Sequence, residues 1–79
     1  MSLLEEKLKL AKIVLSKLED GPKRWTELLK LTLAECGTPH KFQSILDFLL
    51  EKGYVDRPER GLYRITDKGR QFLQALNNQ

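Results

Sequence analysis

The sequence predicts an α+β fold in a single domain, residues 1–79: a three-helix core, a small β-ribbon and a C-terminal helix. Three observations carry this expectation. Apolar residues recur at helical spacing in separate stretches along the first two thirds of the chain. Between Gly53 and Gly69, GYVDRPERGLYRITDKG, the pattern changes to period two around a turn punctuated by Pro58 and Gly61. Strong helix punctuation falls between these stretches, at Asp20-Gly21-Pro22, at Gly37-Thr38-Pro39, at Gly53 and at Thr66.

The first helix is expected from about Leu3 to Glu19, with Leu4, Leu8, Ala11, Val14, Leu15 and Leu18 on its inward stripe. Lys23-Arg24-Trp25 is too short for an independent strand, and is read as a stub on the ribbon's edge. Thr26 is expected to cap a second helix from Glu27 to about Cys36, closed by Gly37; its leucines (Leu28, Leu29, Leu31, Leu33) spread too widely to define one buried face. Thr38-Pro39 starts the third helix, a hydroxyl cap followed by proline at the first helical position. That helix runs to about Lys52, with Phe42, Ile45, Leu46 and Leu49 inward. A 100° step per residue then places His40, Ser44, Asp47 and Glu51 opposite, flanked by Lys41 and Gln43. Tyr54-Val55 and Leu62-Tyr63-Arg64-Ile65-Thr66 form the ribbon, with Tyr63 on the buried side beside Ile65. Thr66 caps the last helix, Asp67 to about Leu76, which buries Phe72, Leu73 and Leu76. Trp25 is expected in the core, wedged between the second helix and the ribbon.

A chain of 79 residues supports one modest core and leaves little room for the walled pocket of an enzyme or a small-molecule sensor. The net charge is only +3, but it is unevenly placed. Residues 1–20 balance Lys7, Lys9, Lys12 and Lys17 against Glu5, Glu6, Glu19 and Asp20. Residues 57–70 set Arg57, Arg60, Arg64, Lys68 and Arg70 against Glu59 and Asp67, an excess equal to that of the whole chain. A ribbon bearing several arginines suits phosphate binding, and a solvated surface without a partner is the alternative reading of any such cluster. The lone Cys36 excludes an internal disulfide and is read as a small hydrophobe beside a turn. No run reaches the length of a membrane span, and the N-terminus lacks the basic-then-apolar order of a signal peptide. A cytoplasmic protein without cofactor is therefore expected. His40, the only histidine, has no second histidine or Cys-x-x-Cys to make a metal or catalytic site with it.

The ordered set of elements resembles the winged helix-turn-helix family from about Leu10 to Leu76. The most similar stretch, TPHKFQSILDFLLEKGYVDRPERGLYRITDKGRQFL, looks like the recognition helix, wing and final helix of MarR-like and archaeal winged-helix regulators. Gly53-Tyr54-Val55 is similar to the family's transition from third helix to strand. Ile65-Thr66-Asp67-Lys68-Gly69 is similar to its apolar-Thr-x-x-Gly ending. With the Lys/Glu-rich composition, this resemblance points to an archaeal or archaeal-virus source. It also implies double-stranded DNA as the partner, with the third helix in the major groove and the wing on adjacent backbone or minor groove. Carried onto this chain, it makes Thr38, His40, Lys41, Gln43, Ser44 and Asp47 candidate groove residues, and Arg57, Arg60 and Arg64 candidate wing contacts. The chain departs from the family where many members place an arginine in mid-helix; here stand Gln43, Ser44 and Asp47.

By chemistry, Gln43 suits adenine and Lys41 suits guanine or phosphate. Asp47 is read first as repelling phosphate slightly or pairing with a nearby arginine, with acceptance from a cytosine amino group as the alternative. An ordinary solvated position remains the alternative for each. The wing arginines need only bring charge within reach of phosphate. A transcriptional regulator is the leading expectation, with an architectural DNA-binding protein and a protein–protein module as rivals. A homodimer is expected through the first and last helices, where Leu3, Leu10, Ile13, Phe72, Ala75 and Leu76 are the candidate interface residues.

Overall fold

The first helix, α1 (Leu3–Leu18), ends just before Asp20-Gly21-Pro22, and its last carbonyl region is closed by a Gly21 N–H donating to the Leu18 carbonyl at 3.2 Å. The computed structural model describes residues 3–78, with residue 3 described in its backbone alone. There follow β1 (Lys23–Arg24), α2 (Trp25–Cys36), α3 (Pro39–Glu51), β2 (Val55–Glu59), β3 (Leu62–Ile65) and α4 (Asp67–Asn77). The expected α+β order is present, stub strand included. The three strands form an antiparallel sheet in the order β1-β3-β2, so β3 is central and both neighbours are edges.

Two boundaries differ from the sequence expectation. α2 begins at Trp25 rather than Glu27, its N-cap is Arg24 and no side chain caps it, so Thr26 is an exposed first-turn residue. The reason lies in the sheet. The Trp25 N–H, a donor with no partner inside the helix, goes to the Gly61 carbonyl at 2.9 Å, and the chain passes directly from strand pairing into helix. In the hairpin, β2 continues through Pro58 to Glu59, and the turn contracts to Arg60-Gly61. Proline is tolerated there because β2 is an edge strand. The register passes from Asp56 opposite Arg64 to Glu59 opposite Leu62, so β2 carries one extra residue, a bulge at Arg57-Pro58. Gly61 takes φ 77°, a conformation a side chain would strain.

The capping of α3 follows its sequence closely. Thr38 is the N-cap, and its hydroxyl accepts from the Lys41 N–H at 3.1 Å ahead of Pro39. At the other end, the Gly53 N–H donates to the Leu50 carbonyl (3.1 Å) and the Tyr54 N–H to that of Leu49 (3.0 Å). With Gly53 at φ 78°, this is a Schellman closure.

The core lies between the sheet and the helices. From α3 it takes Phe42, Ile45, Leu46 and Leu49, all buried as the stripe predicts. α1 gives Leu10, Ala11, Val14, Leu15 and Leu18; the sheet gives Val55, Tyr63 and Ile65; and α4 gives Leu73, with Phe72 and Leu76 only half-buried. Leu4, expected inward, is 63% exposed. The ambiguous leucines of α2 resolve into one face, Leu28, Thr32 and Cys36 at intervals of four, while Leu31 and Leu33 remain outside. Thr32 enters the core at no polar cost because its hydroxyl donates to the Leu28 carbonyl at 2.9 Å. Burial pushes the Cys36 thiol above its usual range, which fits the small-hydrophobe reading.

Candidate nucleic-acid interface

The outward face of α3 carries His40, Ser44, Asp47 and Glu51; His40, Asp47 and Glu51 are exposed and Ser44 is accessible, as the helical projection requires. The flanking candidates are not free. Lys41 forms an ion pair with Glu6 of α1, so its ammonium turns toward the first helix. Gln43 is half-buried and both ends of its amide are occupied. Its Oε1 accepts from the Trp25 indole N–H at 2.8 Å, and its Nε2 donates to Asp47 Oδ1 at 2.8 Å. The Thr38 hydroxyl is engaged in the helix cap. Of the six candidates, then, His40, Ser44 and Asp47 form the accessible face, with Gln43 held beneath it.

Trp25 is half-buried and packs against the core. Its backbone N–H reaches the hairpin at Gly61, and its ring meets Phe42 edge-on, with centroids 5.5 Å apart and planes at 68°. It therefore ties the hairpin turn to α3, a role the sequence left invisible.

The hairpin separates its arginines into two kinds. Arg64 reaches back across the sheet to Asp56, donating from Nε (3.2 Å) and Nη2 (2.8 Å) to the same carboxylate oxygen. Counting charge from residue 57 leaves out that Asp56, and including it lowers the segment's excess from +3 to +2. Arg70 is also occupied, donating to the Glu19 carbonyl at 3.2 Å, and Lys68 lies 5.5 Å from the Tyr54 ring centre. Arg57 and Arg60 are exposed, and among the described residues their guanidinium groups have no partner. Arg24 stands 4.0 Å from Glu59 at the same end of the sheet, a cation that the sequence pattern places only on the stub strand.

The base of the hairpin is built differently. The Thr66 hydroxyl accepts from the Gly69 N–H (3.0 Å) and donates to the Gly53 carbonyl (2.7 Å), while its own N–H donates to the Tyr54 carbonyl (3.1 Å). A methyl group on Gly69 would collide with the Tyr54 carbonyl oxygen and stand 2.9 Å from Ile65 Cγ1. The Thr-x-x-Gly pattern thus seats α4 against the start of β2. Tyr54 and Phe72 stack across the same junction at 4.1 Å and 5°.

This packing reduces the apolar surface expected between two copies. Leu10 is 4% exposed, because α1 turns it into the chain's own core, so it is removed from any interface. Phe72 is committed to Tyr54. Ile13 and Leu76 are half-buried, Ala75 is exposed, and the Leu3 side chain lies outside the described residues. Among the described residues no cluster of His, Cys, Asp or Glu is placed to hold a metal ion, and no helix is long and apolar enough to cross a membrane.

A helix pair α2–α3 braced by α1, with a hairpin beside the exposed helix, is the architecture of the winged helix-turn-helix domains. Residues 6–79 match the profile of the winged helix-turn-helix family, and the chain belongs to that family. No curated protein and no solved structure matches it. Membership in this family points to double-stranded DNA as the partner and to binding rather than catalysis.

Proposed function

We propose that the chain is a small transcriptional regulator that places α3 in the major groove of double-stranded DNA and holds the backbone with the wing tip. The observation carrying this reading is the pair of exposed arginines, Arg57 and Arg60, at the end of the hairpin, whose guanidinium groups have no partner among the described residues. Phosphate contact needs charge within reach and tolerates imprecise geometry, which such a tip supplies. Thr38, His40, Lys41, Gln43, Ser44 and Asp47 are the proposed recognition-helix positions. Arg57 and Arg60 are the principal wing contacts, and Arg64 is a weaker one because Asp56 already offsets it. The proposed assembly is a homodimer through α1 and α4, using Ile13, Ala75 and Leu76. Two recognition helices would then meet successive major grooves about 34–36 Å apart.

An architectural, sequence-independent role is the second reading, favoured by a specific observation: the exposed face of α3 has no arginine and carries Asp47 and Glu51. Binding to random duplexes and to duplexes recovered by selection, titrated with salt in parallel, separates the two. A regulator binds the selected duplex far more tightly, an architectural protein binds both alike, and absence of binding at low salt overturns DNA as the partner. Sedimentation at micromolar concentration tests the dimer, which a monomer mass with and without DNA would contradict.

A further inference from the structure

Deepening that reading, and resting on α3 facing the major groove, we infer that Asp47 selects a base with an exocyclic amino group, and that Trp25 is the residue that positions it. The indole N–H can only donate, so the Gln43 amide has one admissible orientation, with Oε1 toward Trp25 at 2.8 Å. Nε2 is thereby directed along the helix to Asp47 Oδ1, one turn on and also at 2.8 Å. Each link fixes the next: the ring is held edge-on by Phe42, its backbone N–H is held by Gly61 of the wing turn, and Gln43 is half-buried.

What emerges on the accessible face is an oriented carboxylate with no cationic partner among the described residues. Its remaining capacity is to accept hydrogen bonds. In the major groove the amino groups of cytosine (N4) and adenine (N6) offer donors, whereas guanine presents O6 and N7 and thymine presents O4, all acceptors that repel a carboxylate. Gln43 Nε2 spends one of its two hydrogens on Asp47 and keeps the other, a donor of the kind that suits the acceptor neighbouring either amino group, adenine N7 or the paired guanine O6. The absence of an arginine on this face, which first suggests weak readout, becomes a different selectivity: for amino-bearing bases rather than for guanine.

The test is selection of binding sites from a random duplex library by the wild-type chain, Asp47→Ala and Trp25→Phe, followed by affinity measurements on single-base variants. The wild type is expected to recover sites with cytosine or adenine fixed at one position, and the selected base tells which amino group is read. Asp47→Ala, at an exposed position, is expected to lose roughly tenfold or more in discrimination at that position alone. Trp25→Phe keeps the aromatic packing and removes the N–H. It is expected to weaken the same preference while affinity for random duplex and its salt slope stay at wild-type values, a pattern that general loss of structure does not produce. A selected motif that survives Asp47→Ala overturns the inference and leaves the regulator intact. Recovery of no motif overturns both and leaves the architectural role; no binding at low salt overturns DNA as partner altogether.

Discussion

The two ends of the hairpin are a few residues apart and obey opposite rules. At its base, Gly53, Tyr54, Thr66 and Gly69 are joined by hydrogen bonds of 2.7–3.1 Å, and no room remains for a single methyl group on Gly69. At its tip, the guanidinium groups of Arg57 and Arg60 have no partner among the described residues. The base is specified by distance, the tip by charge. A sequence motif and a functional surface can therefore sit in one segment while answering to separate constraints, and mutations should sort accordingly.

The sharpest way to break this comparison is at Gly69. Gly69→Ala forces the new methyl into the Tyr54 carbonyl, and α4 must lift from the sheet. A loss of about 3 kcal/mol is expected, at the upper end of overpacking costs, read as a lower urea midpoint. Thr66→Ala removes the α4 cap and the bond to the Gly53 carbonyl. It should cost about 1 kcal/mol, or a melting point lower by about 4–8 °C for a domain of this size. Asp56→Asn breaks the exposed pair with Arg64 and should change stability by no more than about 0.5 kcal/mol. It frees the Arg64 guanidinium, however, so the salt dependence of DNA binding should steepen. Arg57→Ala with Arg60→Ala should leave stability unchanged within about 0.5 kcal/mol, since neither guanidinium has a partner among the described residues.

The base of the hairpin was more legible in the sequence than the interface. Gly53, Thr66 and Gly69 are residues whose backbone roles are local, so spacing alone announces the helix stop and the cap. The stripe on α3 was legible for the same reason. What escaped were contacts between distant positions. Nothing in the local pattern shows that Trp25 would bond Gln43, that Glu6 would pair with Lys41, or that α1 would turn Leu10 inward. Thr26 failed as a cap because a strand partner reached Trp25 first, a tertiary contact overriding a local preference. The Gln43–Asp47 bond, by contrast, spans four residues on one helix, a spacing at which side chains meet.

The tip carries the functional claim, and the salt dependence of DNA affinity tests it most directly. For Arg57→Ala/Arg60→Ala against the wild type, the slope of log affinity on log salt should become shallower. The expected change is roughly 0.9 for each B-DNA phosphate that the variant no longer neutralises, with folding intact. An unchanged slope would show that the wing tip does not touch the backbone and would contradict the account.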